Sequence, residues 1–262
     1  MIGVFDSGLG GLTALKELCS LLPDEDFLYL ADTAHLPYGE RSRGELCRFS
    51  ARAVSFLHEK GASEVLFACG TASSLAFDFC KRYFTFPLYE VVTPSVLRAA
   101  SLSKSRRVGV AATKATVESG AFRRLFGKYA PDCTVFEVCC PSLVSLSEAG
   151  DGCDTACYDA VYASLLPLKN EKIDTLILGC THFALLRAAI TALFPSVFLI
   201  ESGKEGALSL AEARESKNAD ARAARERKIR LFTTKGECAL SFRASELLER
   251  RLKAEKINPD II

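Results

Sequence analysis

The 262-residue sequence predicts an α/β fold in two related halves, with mostly parallel sheets flanked by helices. Three observations carry this. Short apolar runs alternate with helix-period patterns along the chain. Several runs end in small or polar residues that lead into a helix, and that carboxyl edge is where open α/β sheets bind ligands. Finally, Ile2-Gly3-Val4 is echoed by Val108-Gly109-Val110, at an offset of 106, and Val65-Leu66-Phe67-Ala68-Cys69 by Leu176-Ile177-Leu178-Gly179-Cys180, at an offset of 111. The matched offsets would give each half one cysteine at the same structural position.

Taken in order, strands are expected at Ile2 to Phe5, Phe27 to Ala31, Val65 to Ala68, Val108 to Ala111, Thr175 to Leu178 and Val197 to Ile200. Amphipathic helices are expected at Thr13 to Leu21, Gly44 to Glu59 and Val117 to Tyr129. From Glu201 to Lys228 the composition turns charged and Ala-rich, which reads as a solvated helix or a crossing segment. Beyond it, Ile229 to Thr233 reads as a strand and Ser241 to Lys256 as a helix.

Composition excludes several classes. Hydrophobic residues make up 49% and charged residues 25%, an ordinary globular balance, and no run approaches the ~18 apolar residues of a membrane span. A net charge of +1, with Lys and Arg spread along the chain, gives no reason to expect nucleic acid or a membrane as partner. Met1-Ile2-Gly3-Val4-Phe5 runs straight into a strand pattern with no basic region before it, so the expectation is a cytoplasmic protein. The eleven cysteines are odd in number and irregularly spaced, unlike a disulfide framework. Cys139-Cys140 and Cys153-x3-Cys157 lack the paired spacing of a zinc site, and no metal is expected.

Four segments could carry chemistry. Asp6-Ser7-Gly8-Leu9-Gly10-Gly11 follows a strand and precedes a helix, where glycines let backbone amides approach an anion; a tight βα turn explains it equally well. It has neither a P-loop ending nor a dinucleotide-fold spacing. Pro37-Tyr38-Gly39, after Ala31-Asp32-Thr33, is by itself a turn. Cys69-Gly70-Thr71 and Cys180-Thr181-His182 each put a cysteine at a strand end, opening a helix. A helix N-terminus lowers a thiol pKa from its usual ~8.5, and His182 brings an acid/base group within reach of Cys180. Either cysteine alone reads as a buried inert thiol. Two at matching positions point to function.

Together these segments resemble the aspartate/glutamate racemase superfamily, and glutamate racemases within it. The resemblance rests on Ile2 to Thr13, Ala31-Asp32-Thr33, Pro37-Tyr38-Gly39, Ala68-Cys69-x-Thr71-Ala72-Ser73, the GVAATKAT run from Gly109 to Thr116, and Gly179-Cys180-Thr181-His182-Phe183. Pro141-Ser142-Leu143-Val144, followed by Glu148 and Gly150, is similar to the family segment that carries an assisting glutamate. The resemblance covers about residues 2 to 210. It implies two pseudo-symmetric α/β domains, 1–92 with 207–262 and 93–206, and an active site between them. It also implies that Cys69 and Cys180 are the acid/base pair, assisted by Asp6, Glu148 and His182. Substrate contacts would come from Asp6, Ser7, Tyr38, Gly39, Thr71, Thr181 and His182. The implied activity is cofactor-independent interconversion of L- and D-glutamate, feeding peptidoglycan synthesis. The expected partners are this small molecule and, as an assembly, a homodimer.

A racemase for aspartate or another small amino acid, or a catalytically weak amino-acid-binding protein, remains open at this level. The family normally has Asn where this chain has Gly70, and more often Asp where it has Glu201. A lost amide contact at position 70 would weaken glutamate binding roughly 5- to 150-fold unless another residue or a bridging water compensates, so Gly70→Asn is expected to lower KM provided that position 70 does not require a positive φ.

Overall fold

The computed structural model describes residues 1–149, 155–215 and 227–262. The first half runs β1 (Ile2–Asp6), α1 (Leu12–Leu21), β2 (Phe27–Ala31), α2 (Arg43–Glu59), β3 (Glu64–Phe67), α3 (Gly70–Leu75), α4 (Phe77–Tyr83) and β4 (Leu88–Glu90). The second half opens with α5 (Val92–Leu102), β5 (Arg107–Ala112), α6 (Lys114–Ser119), α7 (Ala121–Tyr129), β6 (Thr134–Cys139) and α8 (Pro141–Ala149). It continues with α9 (Thr155–Lys169), β7 (Thr175–Leu178), α10 (Arg187–Leu193) and β8 (Phe198–Glu201). The rest comprises α11 (Ser202–Glu215), β9 (Ile229–Thr233), α12 (Glu237–Leu247) and β10 (Ala254–Lys256).

These strands form two sheets, ordered β10-β9-β2-β1-β3-β4 and β6-β5-β7-β8, and every described strand pair is parallel. The run β2-β1-β3-β4 in one sheet has the same order as β6-β5-β7-β8 in the other. Register repeats as well: Gly3 pairs with Val65, and Gly109 with Leu176. The sequence echo is therefore a true structural repeat. Strands β1, β2, β3 and β7 are buried along their whole length, covered by helices on both faces, which is why each reads as an almost unbroken apolar run.

Local chemistry sets the helix positions. Ser42 caps α2 through a capping box: its hydroxyl accepts from the Glu45 amide, and the Glu45 carboxylate accepts from the Ser42 amide. The helix then buries Leu46, Phe49, Ala53 and Leu57 against the sheet. Expectation and structure differ in three places. The single helix expected from Val117 to Tyr129 is two helices, because Gly120 adopts a left-handed conformation (φ 65°) that ends α6 and starts α7. The helix expected across Ser241 to Lys256 starts at Glu237 and stops at Leu247; Glu249 turns the chain at φ 49°, and Ala254–Lys256 becomes a strand on the open edge of β9. The stretch after Glu201, expected as a solvated helix or a crossing segment, begins as the helix α11, but that helix is packed rather than solvated, burying Gly203, Gly206, Ala207 and Leu210 against α1 and α5. Its remainder from 216 to 226, like Gly150 and Cys153, lies outside the described residues.

Strand β9 pairs with β2, so the chain after α11 returns to the first sheet. The expected boundary at 206/207 falls inside α11. No described helix is long and apolar enough to cross a membrane.

Candidate active site

The carboxyl edges of the two sheets face each other across a cavity of about 240 Å3. Cys69 follows β3 and sits at the N-terminal end of α3, while Cys180 follows β7 and opens a 3-10 turn, Thr181–Leu186, where the sequence suggests an α-helix. Both thiols reach this cavity, one from each half, and both are nearly covered, at 4% and 7% exposure. A single cavity therefore sees two cysteines brought in by equivalent strands.

Behind Cys180 stands a charged relay. His182 Nδ1 lies 3.6 Å from Cys180 Sγ, and its Nε2 is 2.5 Å from Glu148 Oε1. Burial on its own would lower the His182 pKa. The hydrogen bonds to Cys180 and Glu148, with the electrostatic pull of Cys180 and Asp6, raise it well above the usual value and favour the charged ring. Glu148 also accepts from the Leu9 amide at 3.0 Å. Burial pushes its carboxyl up, but the hydrogen bond and charge of His182 and the Leu9 amide bring it below the usual range.

Cys69 is differently placed. Ser7 Oγ lies 3.5 Å from its Sγ, and the buried Asp6 sits close by. The lowered thiol pKa expected at a helix N-terminus is not what the structure gives here. Burial, with the charge of Asp6 added, pushes Cys69 up to about 12, and the Ala72 amide and Ser7 hydroxyl offset only part of it. The six-residue α3 has too small a dipole to outweigh desolvation. Asp6 is fully buried and accepts from the Gly8 amide at 2.8 Å and the Thr181 hydroxyl at 3.1 Å. Burial raises its carboxyl pKa despite the opposing pull of His182 and these hydrogen bonds.

The other expected residues divide into two groups. Ser7, Tyr38, Gly39, Thr71 and His182 line the cavity. Asp6, Glu148 and Thr181 stand behind that wall and hold its members. Tyr38 offers ring and backbone, because its hydroxyl donates to Asp32 Oδ2 at 2.6 Å. Asp32 in turn accepts from the Thr234 hydroxyl at 3.0 Å and contacts His35 Nδ1 at 2.8 Å, fixing the 33–40 segment. Sequence reasoning assigned no role to Thr113, Thr116 or Lys114, although all three lie in the GVAATKAT run. The Thr113 hydroxyl is 2.9 Å from that of Thr71 and 3.0 Å from that of Thr116, a hydroxyl cluster bridging the two halves. Its signal was the T-x-x-T spacing at the start of α6. No group of three or more His, Cys, Asp or Glu among the described residues is arranged to hold a metal ion.

Comparison with known proteins bears on this geometry. A family model described as Asp/Glu/Hydantoin racemase matches residues 13–210. A glutamate racemase from Desulforudis audaxviator is 40% identical over 201 residues, covering 76% of this chain and 74% of its own. The chain belongs to the Asp/Glu/hydantoin racemase family, in its glutamate racemase branch. Solved structures agree. A glutamate racemase isoform from Bacillus anthracis superposes with a TM-score of 0.93 at 31% identity, covering 98% of this chain and 97% of that one. The Francisella tularensis glutamate racemase, solved in complex with D-glutamate, gives 0.88 at 30% identity over 100% of this chain and 98% of that one.

The glycines of this racemase site serve close approach between the halves. A Cβ on Gly10 would meet the His182 amide nitrogen and Thr181 Oγ1 at 2.7 Å, and one on Gly8 would meet Glu148 Oε1 at 2.6 Å. Gly70 is the tightest. A Cβ there would lie 2.0 Å from the carbonyl oxygen of Gly179, the residue before the second cysteine. This overturns the expectation that Gly70→Asn improves binding: the obstacle is a backbone carbonyl, which cannot swing aside as a side chain can. Overpacking of this kind typically costs about 1–3 kcal/mol.

Two outcomes follow. Gly70→Asn should reduce kcat/KM for the racemase substrate by roughly 10-fold or more and lower the melting temperature, with Gly70→Ala moving both the same way, since the first added carbon already collides. A lower KM at unchanged melting temperature in Gly70→Asn would contradict this. For Cys69, raised to about 12, thiolate content grows with pH across the neutral range. Alkylation of its peptide, followed by mass spectrometry, should rise about tenfold per pH unit between pH 7 and 9, and a plateau below pH 8 would refute the assignment.

Proposed function

We propose that this racemase interconverts L- and D-glutamate with the thiols of Cys69 and Cys180 as its acid and base, and that its product supplies D-glutamate for peptidoglycan. The observation that carries the reading is the meeting of two cysteines, one from each half, on one cavity. Inverting an α-carbon requires a proton to leave one face and another to enter the opposite face. Two groups on opposite walls do this without turning the substrate, and two-fold-related halves supply such a pair. Glutamate as substrate is supported by the named relatives and by the D-glutamate bound to the Francisella protein.

From L-glutamate the steps balance as follows. The Cys180 thiolate takes the α-hydrogen: the Cα–H bond breaks, S–H forms, and the electron pair remains on Cα, delocalised into the α-carboxylate. Cys69, a thiol at neutral pH, then gives its proton to the other face and is left as thiolate. His182, 3.6 Å from Cys180, can carry that sulphur's proton between turnovers, taking it from the thiol as neutral imidazole and giving it back as imidazolium. The α-hydrogen is a very weak acid, so carbanion charge must be met by fixed donors: the hydroxyls of Thr71 and Ser7 and the Ser7 amide, at the cavity wall, are the candidates. The backbone at Tyr38 and Gly39 completes the proposed binding set, while Thr181, expected to contact substrate, stands behind the wall with its hydroxyl held by Asp6. Asp6 and Glu148 act through Thr181 and His182 as positioning residues. The domain division 1–92 with 207–262 against 93–206, and a homodimeric assembly, belong to the same proposal.

The test is a pair of single variants. Cys69→Ala and Cys180→Ala should each lose racemisation by at least ~100-fold, consistent with removal of a general acid or base, while melting near the parent temperature. Cys69→Ala should still exchange the α-hydrogen of L-glutamate with solvent, and Cys180→Ala that of D-glutamate. Near-normal racemisation in either variant would overturn the two-thiol reading.

A further inference from the structure

Glutamate differs from most amino acids in carrying a second carboxylate, and the cavity's charges are poorly balanced to receive it. Any positive charge on His182 is met by Glu148, which it contacts directly. Glu40, on the cavity wall beside Gly39, adds a further negative charge. Among the described residues that line the cavity there is one Lys or Arg, and it is Lys114. We infer that Lys114 is a specificity-determining residue, supplying the positive charge that draws in and holds the distal carboxylate of a dicarboxylic substrate at the cavity mouth. The inference rests on the glutamate reading above.

The local structure supports it. Lys114 is the first residue of α6, directly after Thr113, which caps that helix and shares its hydroxyl with Thr71 inside the cavity. A Cβ on Gly39 would lie only 2.8 Å from Thr113 Cβ, so the Tyr38–Glu40 turn abuts the start of α6. Lys114 is thus anchored at its backbone while its side chain stays 64% exposed and free to swing. Among the described residues its ion-pair partner is Glu118, one helical turn on, with Nζ to Oε1 at 3.8 Å and Glu118 63% exposed. An exposed pair this long is weak, so an incoming carboxylate can displace Glu118 from Lys114. Glu118 is then a competitor for the cation, and the two residues should have opposite effects on the substrate.

That opposition provides the experiment. Racemisation of L-glutamate is measured for the parent, Lys114→Gln, Lys114→Arg and Glu118→Gln, at low and high NaCl. Lys114→Gln is expected to raise KM roughly 5- to 20-fold with kcat within about twofold, and to flatten the rise of KM with salt. Lys114→Arg should stay near the parent, and Glu118→Gln should lower KM by roughly two- to threefold by freeing the lysine. If Lys114→Gln folds poorly, Glu118→Gln and the salt dependence of the parent still decide. Unchanged KM in Lys114→Gln, or a rise of KM in Glu118→Gln, overturns the inference while leaving the glutamate reading intact. A parent protein that does not racemise glutamate overturns both.

Discussion

The site depends on one constraint: the carboxyl edges of two separate sheets must be locked face to face, close enough that a thiol from each reaches the same cavity. Glu148 does much of this. Its Oε1 accepts the Leu9 amide of the first half while contacting His182 of the second. The Thr181–Asp6 and Thr113–Thr71 contacts tie the halves at two further points. All are buried or partly buried, where an unpaired partner is costly. The glycines at 8, 10 and 70 exist in this light to let backbone and side chains of the opposite half come within contact distance. Closeness, more than any loop shape, explains why that part of the chain is so rich in glycine.

The lock also makes the two cysteines unequal. Cys69 is buried beside Asp6 and is pushed towards the thiol, whereas Cys180 faces His182, whose ring is shifted towards its charged form. Enantiomers have equal free energy in water, so this inequality cannot make kcat/KM differ between the two directions. It acts instead on which thiol form waits for which enantiomer, and shifts kcat and KM together. The exposed Lys114 acts earlier, on entry of the substrate, and is decoupled from the proton chemistry by its position at the mouth.

Much of this was legible in the sequence because buried parallel strands leave almost unbroken apolar runs. The equivalent runs ending at Cys69 and Cys180 announced the repeat and the two thiols that meet on one cavity. What stayed hidden was tertiary. β6 is an edge strand of half-buried residues, and β10 is Ala254-Glu255-Lys256, charged enough to read as helix until β9 offers it a ladder. The Gly120 break needed a left-handed φ that glycine permits but does not require. At Gly70 the sequence marked the departure from the family, but its cause is the Gly179 carbonyl in the other half, 109 positions along the chain. The pKa of Cys69 likewise followed from burial and Asp6, neither visible from its place at the start of a helix.

The central claim is that one proton is removed from one face by one thiol and a different proton is delivered to the other face by the second. The most direct measurement is the reaction of protiated L-glutamate in deuterated water, stopped at low conversion, with deuterium at Cα read separately in each enantiomer. Two thiols on opposite faces predict D-glutamate carrying solvent deuterium at Cα while the remaining L-glutamate stays protiated. D-glutamate that retains its original hydrogen, or deuterium entering both enantiomers at the same initial rate, would contradict the account and point to a single group serving both faces.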